Sequence, residues 1–201
     1  TISLLMLCGM GFQAWLGKTV VDSNLAPYKI SLHMIMALLI VFLILYLIFI
    51  TKISYKTQLY NSYFYNILIV SLIVTLIQII LGTQVRQYVD EQIKLIGYTK
   101  ELWLSEPEIN FYIHRSTSIL VLLTNGYLWY TNKTLSLGFK KINLSMACII
   151  LEIITGILMY YFEFPILSQP LHLVIASFLF GIQIYILLEL SHTKKLIQQK
   201  I

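Results

Sequence analysis

Three histidines stand where their type and spacing could do chemistry. His33, His114 and His172 each follow, across a loop, a short run with an amide or acid four residues before a glycine: Gln13 and Gly17, Gln78 and Gly82, Glu152 and Gly156. The match is closest between the first and third units, where one constant offset carries Gln13 to Glu152, Gly17 to Gly156, His33 to His172 and Ala37 to Ala176. The middle unit has the same elements with a longer loop. Composition alone rarely produces a threefold recurrence of this kind. A neutral imidazole is a ready metal ligand. Zinc or a dimetal site would want clustered His with Asp or Glu at ligand spacing, and each unit offers one histidine with no adjacent carboxylate in the sequence. Two imidazoles from facing helices suit the two axial positions of a haem. A single such histidine could equally be hydrogen-bonded to a neighbouring helix. Three at one depth on repeat-equivalent helices favour ligation.

The elements that must position these residues are membrane helices. The chain has 201 residues, 58% hydrophobic and 11% charged, with a mean hydropathy of +0.80. A soluble domain carries about 25% charged residues, so a polytopic membrane protein is expected. Spans of roughly 20 apolar residues fall at about 2–21, 30–50, 63–83, 111–131, 143–162 and 170–190, giving six helices in three hairpins. The first segment lacks a basic region and a small-residue cleavage site, so it does not read as a signal peptide. Since Thr1 is not an initiator Met, a piece of a longer protein is expected.

Charge placement predicts the topology. Loops 51–62 and 132–142 and the tail from 191 hold Lys52, Lys56, Lys133, Lys140, Lys141, Lys194, Lys195 and Lys200 and no acid. The opposite loops hold Asp22, Asp90, Glu91, Glu101, Glu106, Glu108 and Glu163 with a few bases. The positive-inside rule then puts both ends on the cytoplasmic side of the cell (inner) membrane. The net charge of +5 becomes a topology signal and an attraction to anionic lipid, and no basic and aromatic alternation supports nucleic-acid binding. The three histidines consequently lie near the outer leaflet, and the mixed-charge run from Arg86 to Glu108 is read as a loop with a short interfacial helix. Lys18, Lys29, Arg86 and Arg115 stand at that same interface, as partners for haem propionates or as ordinary snorkelling bases. Gly17, Gly82 and Gly156 would let helices or a flat macrocycle approach closely, or serve plain helix packing. Glu152 is read as a helix–helix hydrogen-bonder or a polar relay. Cys8 and Cys148 read as buried thiols, Trp15, Trp103 and Trp129 as interfacial anchors, and His192 as a solvated tail residue.

The runs Gln13-Ala-Trp-Leu-Gly-Lys-Thr-Val-Val-Asp-Ser-Asn-Leu-Ala-Pro27 with His33, Gln78-Ile-Ile-Leu-Gly-Thr-Gln-Val-Arg86, His114-Arg115 and Gln169-Pro-Leu-His172 resemble those of the haem A synthase family. That family is all-α, with eight transmembrane helices in two pseudo-twofold-related four-helix bundles. The resemblance implies that this chain matches the third to eighth helices, with 1–62 the second half of the substrate-haem bundle and 63–201 the haem b bundle. It implies that His114 and His172 are the axial ligands of haem b and that His33 is a ligand of the substrate haem O. The implied reaction is oxidation of a haem O methyl group to a formyl group, giving haem A for cytochrome oxidase assembly. Implied partners are membrane lipid, haem O and the haem O synthase that makes it, with a homo-oligomer left open.

The family's first two helices, with a partner for His33 and a catalytic Glu, find no match in this sequence, so the segment by itself is expected to be inactive. Two other readings stay open. A non-catalytic membrane b-type cytochrome would need paired histidines without oxygen chemistry. A haem-free transporter or structural protein would place Gly/Pro-interrupted helices at the midplane, whereas the prolines here sit in outer loops or at helix starts.

Overall fold

Residues 2–23, 26–52 and 58–199 are described by a computed structural model. Six long helices account for nearly all of them: α1 (Ile2–Asp22), α2 (Pro27–Thr51), α3 (Ser62–Ile96), α4 (Ile109–Thr134), α5 (Lys141–Tyr161) and α6 (Ser168–Gln198), with a single 3-10 turn at Lys100–Leu102. No strand occurs among the described residues. Local chemistry sets several helix ends. Asn61 caps α3, its side chain accepting from the Phe64 N–H at 2.9 Å, which satisfies one of the free donors of the first turn. Pro27 opens α2, where its missing N–H costs nothing. Gly97 ends α3 at φ 70° and ψ −151°, its N–H still reaching Ile93 O, a backbone conformation open essentially to glycine alone.

The helices pack as three antiparallel hairpins, α1 with α2, α3 with α4 and α5 with α6. Further contacts of α4 with α5 and of α3 with α6 close the last four into a ring, and α2 lies against both α3 and α6. One end of the ring is filled by Phe64, Leu68, Leu128, Leu137, Phe139, Ile142, Ile186 and Leu190, with the Phe64 and Phe139 rings stacked 5.3 Å apart. Asn132 closes the neighbouring α4–α5 turn by bonding both the N–H and the carbonyl of Phe139. Nearer the other end, Val121, Cys148, Ile149, Ile175 and Leu179 form a second packed layer. The seam between α2 and the ring consists of Met34, Leu38, Ile79, Phe180 and Ile184. There Gly181 keeps α6 close to α2, since a Cβ on it would lie 3.3 Å from Leu45 Cδ1.

Between the two layers the ring holds a polar cluster. Gln183 Nε2 lies 3.2 Å from Ser71 Oγ, 3.0 Å from Thr75 Oγ1 and 3.1 Å from Asn125 Oδ1, and all four residues are buried. In an apolar solvent such groups find partners on other helices, tying α3, α4 and α6 together.

Five helices, α1, α2, α3, α5 and α6, are long and apolar enough to cross a membrane. The protein is thus an all-α, multi-pass membrane protein. The expected sixth span, α4, forms a helix of full length but falls outside that set, because Arg115, Ser116, Thr117, Ser118, Thr124 and Asn125 dilute its hydropathy. Three further expectations are corrected. The loop expected from 84 is instead helix as far as Ile96, because nothing before Gly97 breaks it. His192 belongs to α6 and is half-buried, its ring 5.9 Å from that of Phe49, so it is not a solvated tail residue. Trp103 is buried rather than interfacial, packed on Phe164 and donating from Nε1 to Gly97 O at 3.0 Å. Of the two thiols expected to be buried, Cys148 is buried, whereas Cys8 on α1 is exposed, a fourth correction. Lys56 and Lys200 lie outside the described residues.

Candidate functional site

Residues four apart on a helix share a face, one turn above the other. Each amide-or-acid and glycine pair therefore presents one polar group and one gap to the helix that follows it. In the α1–α2 hairpin the gap takes the imidazole of His33: a Cβ on Gly17 would stand 3.1 Å from its Cε1. Gln13 Nε2 donates to His33 O and reaches His33 Nε2, 3.2 Å in each case. The α3–α4 hairpin repeats this, with His114 Cε1 at 3.2 Å from a Cβ on Gly82 and Gln78 Nε2 donating to His114 O at 3.0 Å. In the α5–α6 hairpin the gap is wider, His172 Cε1 lying 3.9 Å from a Cβ on Gly156. In the first two units the glycine thus seats the edge of an imidazole, whereas in the third a Cβ would meet the ring at ordinary contact distance.

The third unit also corrects the expectation that no carboxylate adjoins these histidines. Glu152 Oε2 lies 2.9 Å from His172 Nδ1, so Glu152 bridges α5 to α6. Thr155 Oγ1 lies 2.7 Å from the same nitrogen. Thr155 was not singled out from the sequence. The signal was present: the residue before each repeat glycine is Leu16, then Leu81, then Thr155.

His114 and His172 come from different hairpins and face each other, with ring centroids 6.5 Å apart and planes at 68°. Metal–imidazole bonds are about 2 Å long, so two rings holding one metal from opposite sides stand roughly 6 Å apart. The separation fits, and the twist between planes is no obstacle because each ring can turn about its own bond to the metal. His114 Nδ1 is buried without a hydrogen-bond partner. The residues present therefore fit a haem held between α4 and α6. Among the described residues no group of three or more His, Cys, Asp or Glu is arranged to hold a metal ion. His33 is placed with Gln13 and Gly17 of α1, away from a second facing ring.

The bases expected near the histidines are at the same end of the molecule. Arg86, one turn beyond Gly82, pairs with Asp90 at 2.7 Å and donates to Gln169 Oε1, linking α3 to the start of α6. Lys29, one turn before His33, donates to Thr19 O at 3.2 Å. Arg115 and Lys18 are exposed. Ser31 and Thr83 hydroxyls meet at 2.6 Å across α2 and α3, another pairing invisible in the sequence.

Residues 1–184 match the cytochrome oxidase assembly protein family, COX15-CtaA. The chain belongs to this family. The match runs through all three repeat units and both facing histidines, so this member of the cytochrome oxidase assembly family carries its glycine-seated histidines inside the matched region. No curated protein and no solved structure matches the chain.

Proposed function

We propose that this family member is a haem A synthase, oxidising a methyl group of haem O to a formyl group through successive oxygen-dependent hydroxylations. The single observation that carries the reading is the facing pair His114 and His172, at a separation that would suit two imidazoles sharing one metal, within a chain of the cytochrome oxidase assembly family. In this reading His114 and His172 hold haem b, His33 binds the substrate haem O, and Arg86, Arg115 and Lys29 meet propionates. Bound haem b supplies one-electron transfer, the role for which protein ligands set potential and orientation. Gly82 and Gly156 leave room for the two imidazoles, and the packed layer of Val121, Ile149, Ile175 and Leu179 keeps water from the bundle interior. Glu152 and Thr155 hold His172 from the side opposite its other ring nitrogen. The setting is the cell membrane, with cytoplasmic ends and haem O synthase as the supplier of substrate.

The test is haem content. Protein purified from a haem-replete host should carry a low-spin b-type spectrum that is lost in His114→Ala and in His172→Ala. Protein without haem absorbance, or with full haem after both substitutions, would refute the assignment.

A further inference from the structure

The threefold repeat departs from itself at two positions in the third unit. Where the first two units have Gln13 and Gln78, the third has Glu152, and where they have Leu16 and Leu81, it has Thr155. Both departures converge on one atom. Glu152 Oε2 and Thr155 Oγ1 lie 2.9 and 2.7 Å from His172 Nδ1. The Thr155 hydroxyl has backbone acceptors within reach on its own helix, Leu151 O at 2.9 Å and Glu152 O at 3.0 Å, so its oxygen is able to accept from His172. A carboxylate oxygen also accepts. Nδ1 therefore carries the ring proton, and Nε2 is left with its lone pair. His114 has no such arrangement. Gln78 holds its backbone carbonyl, not its ring, and its Nδ1 is buried without a partner.

We infer that Glu152 and Thr155 are positioning residues that fix His172 in the Nδ1–H form and make it the stronger donor of an asymmetric axial pair. The inference rests on the haem reading of His114 and His172. An acceptor on the far nitrogen orients a ligating imidazole and raises its basicity, and a more basic ligand favours the more highly charged ferric ion. Weakening that acceptor raises the midpoint potential of the bound haem.

The experiment is a potentiometric titration of the full-length membrane protein, purified with its haem, beside Glu152→Gln and Tyr63→Phe. Glu152→Gln should keep a two-histidine low-spin spectrum while losing about tenfold in preference for ferric over ferrous iron, an upward shift of about 59 mV for one electron. Tyr63→Phe, at the opposite end of α3 where the Tyr63 hydroxyl bonds that of Tyr127, should leave the potential where it was. A Glu152→Gln protein with the wild-type spectrum and potential overturns the inference, as does an equal shift in Tyr63→Phe. Wild-type protein lacking a two-histidine spectrum would instead overturn the haem reading beneath it. Should Glu152→Gln fail to accumulate, Thr155→Val decides: with one of the two acceptors on Nδ1 removed the potential should rise, and an unchanged or lowered value refutes the assignment.

Discussion

Adding one methyl group to each repeat glycine separates ring placement from fold stability. In Gly82→Ala the new Cβ would stand 3.2 Å from His114 Cε1, short of the 3.5–4.0 Å at which carbon atoms are about optimally spaced. The atom it meets is the far edge of a side chain, so the contact is relieved by swinging the ring a few tenths of an ångström. That relief is cheap for the fold: an overpacking cost of about 1 kcal/mol is offset by a helix-propensity gain of about 1 kcal/mol. It is felt more by ligation, because the shift uses up much of the about 0.5 Å within which a ligating ring must be held. Gly156→Ala meets His172 Cε1 at 3.9 Å, an ordinary contact, and should leave the ring in place. The expected result is little change in thermal unfolding for either variant. Haem affinity should fall by about 10- to 100-fold, the range seen when groups that orient metal ligands are altered, in Gly82→Ala alone. The assay is haem retention, read as the haem-to-protein absorbance ratio during dilution against a haem scavenger. Equal losses in the two variants, or a larger loss in Gly156→Ala, would refute the view that the glycines seat the rings.

Two further outcomes concern the scaffold. Gln183→Leu removes the amide that meets Ser71, Thr75 and Asn125 and leaves Asn125 Oδ1 without that donor; unfolding in mixed detergent micelles should show a loss of about 1–2 kcal/mol, and a neutral result would show the cluster to be dispensable. Lys141→Met strands Glu189, which is 6% exposed and paired at 2.6 Å. The cost should be about 1–3 kcal/mol, below that of a fully buried pair because Lys141 is 39% exposed, and Glu189→Gln added to Lys141→Met should recover part of it, non-additivity being the signature of a direct pair.

The histidine repeat was legible because it is a pattern in one dimension: a residue type, a spacing and a recurrence. The apolar runs were legible for the same reason, since a helix in lipid must satisfy its own backbone and shield it with apolar side chains. The misreadings share a cause. Charged residues after Gln84 looked like a loop because they cannot sit in hydrocarbon, yet a helix may continue into water, and α3 does so to Ile96. His192 and Trp103 looked exposed by their neighbours in sequence, whereas Phe49 and Phe164, distant in the chain, cover them.

By itself the sequence determined an all-α membrane chain, its hairpins and the threefold recurrence of amide or acid, glycine and histidine, because helix period, hydropathy and residue spacing are local quantities. Only the tertiary structure decided that His114 and His172 face each other while His33 turns to Gln13, and that Glu152 and Thr155 meet on one ring nitrogen. Those pairings depend on how each helix is rotated against its neighbours. That rotation is set by side chains packing across the whole bundle, which spacing within a single segment cannot encode.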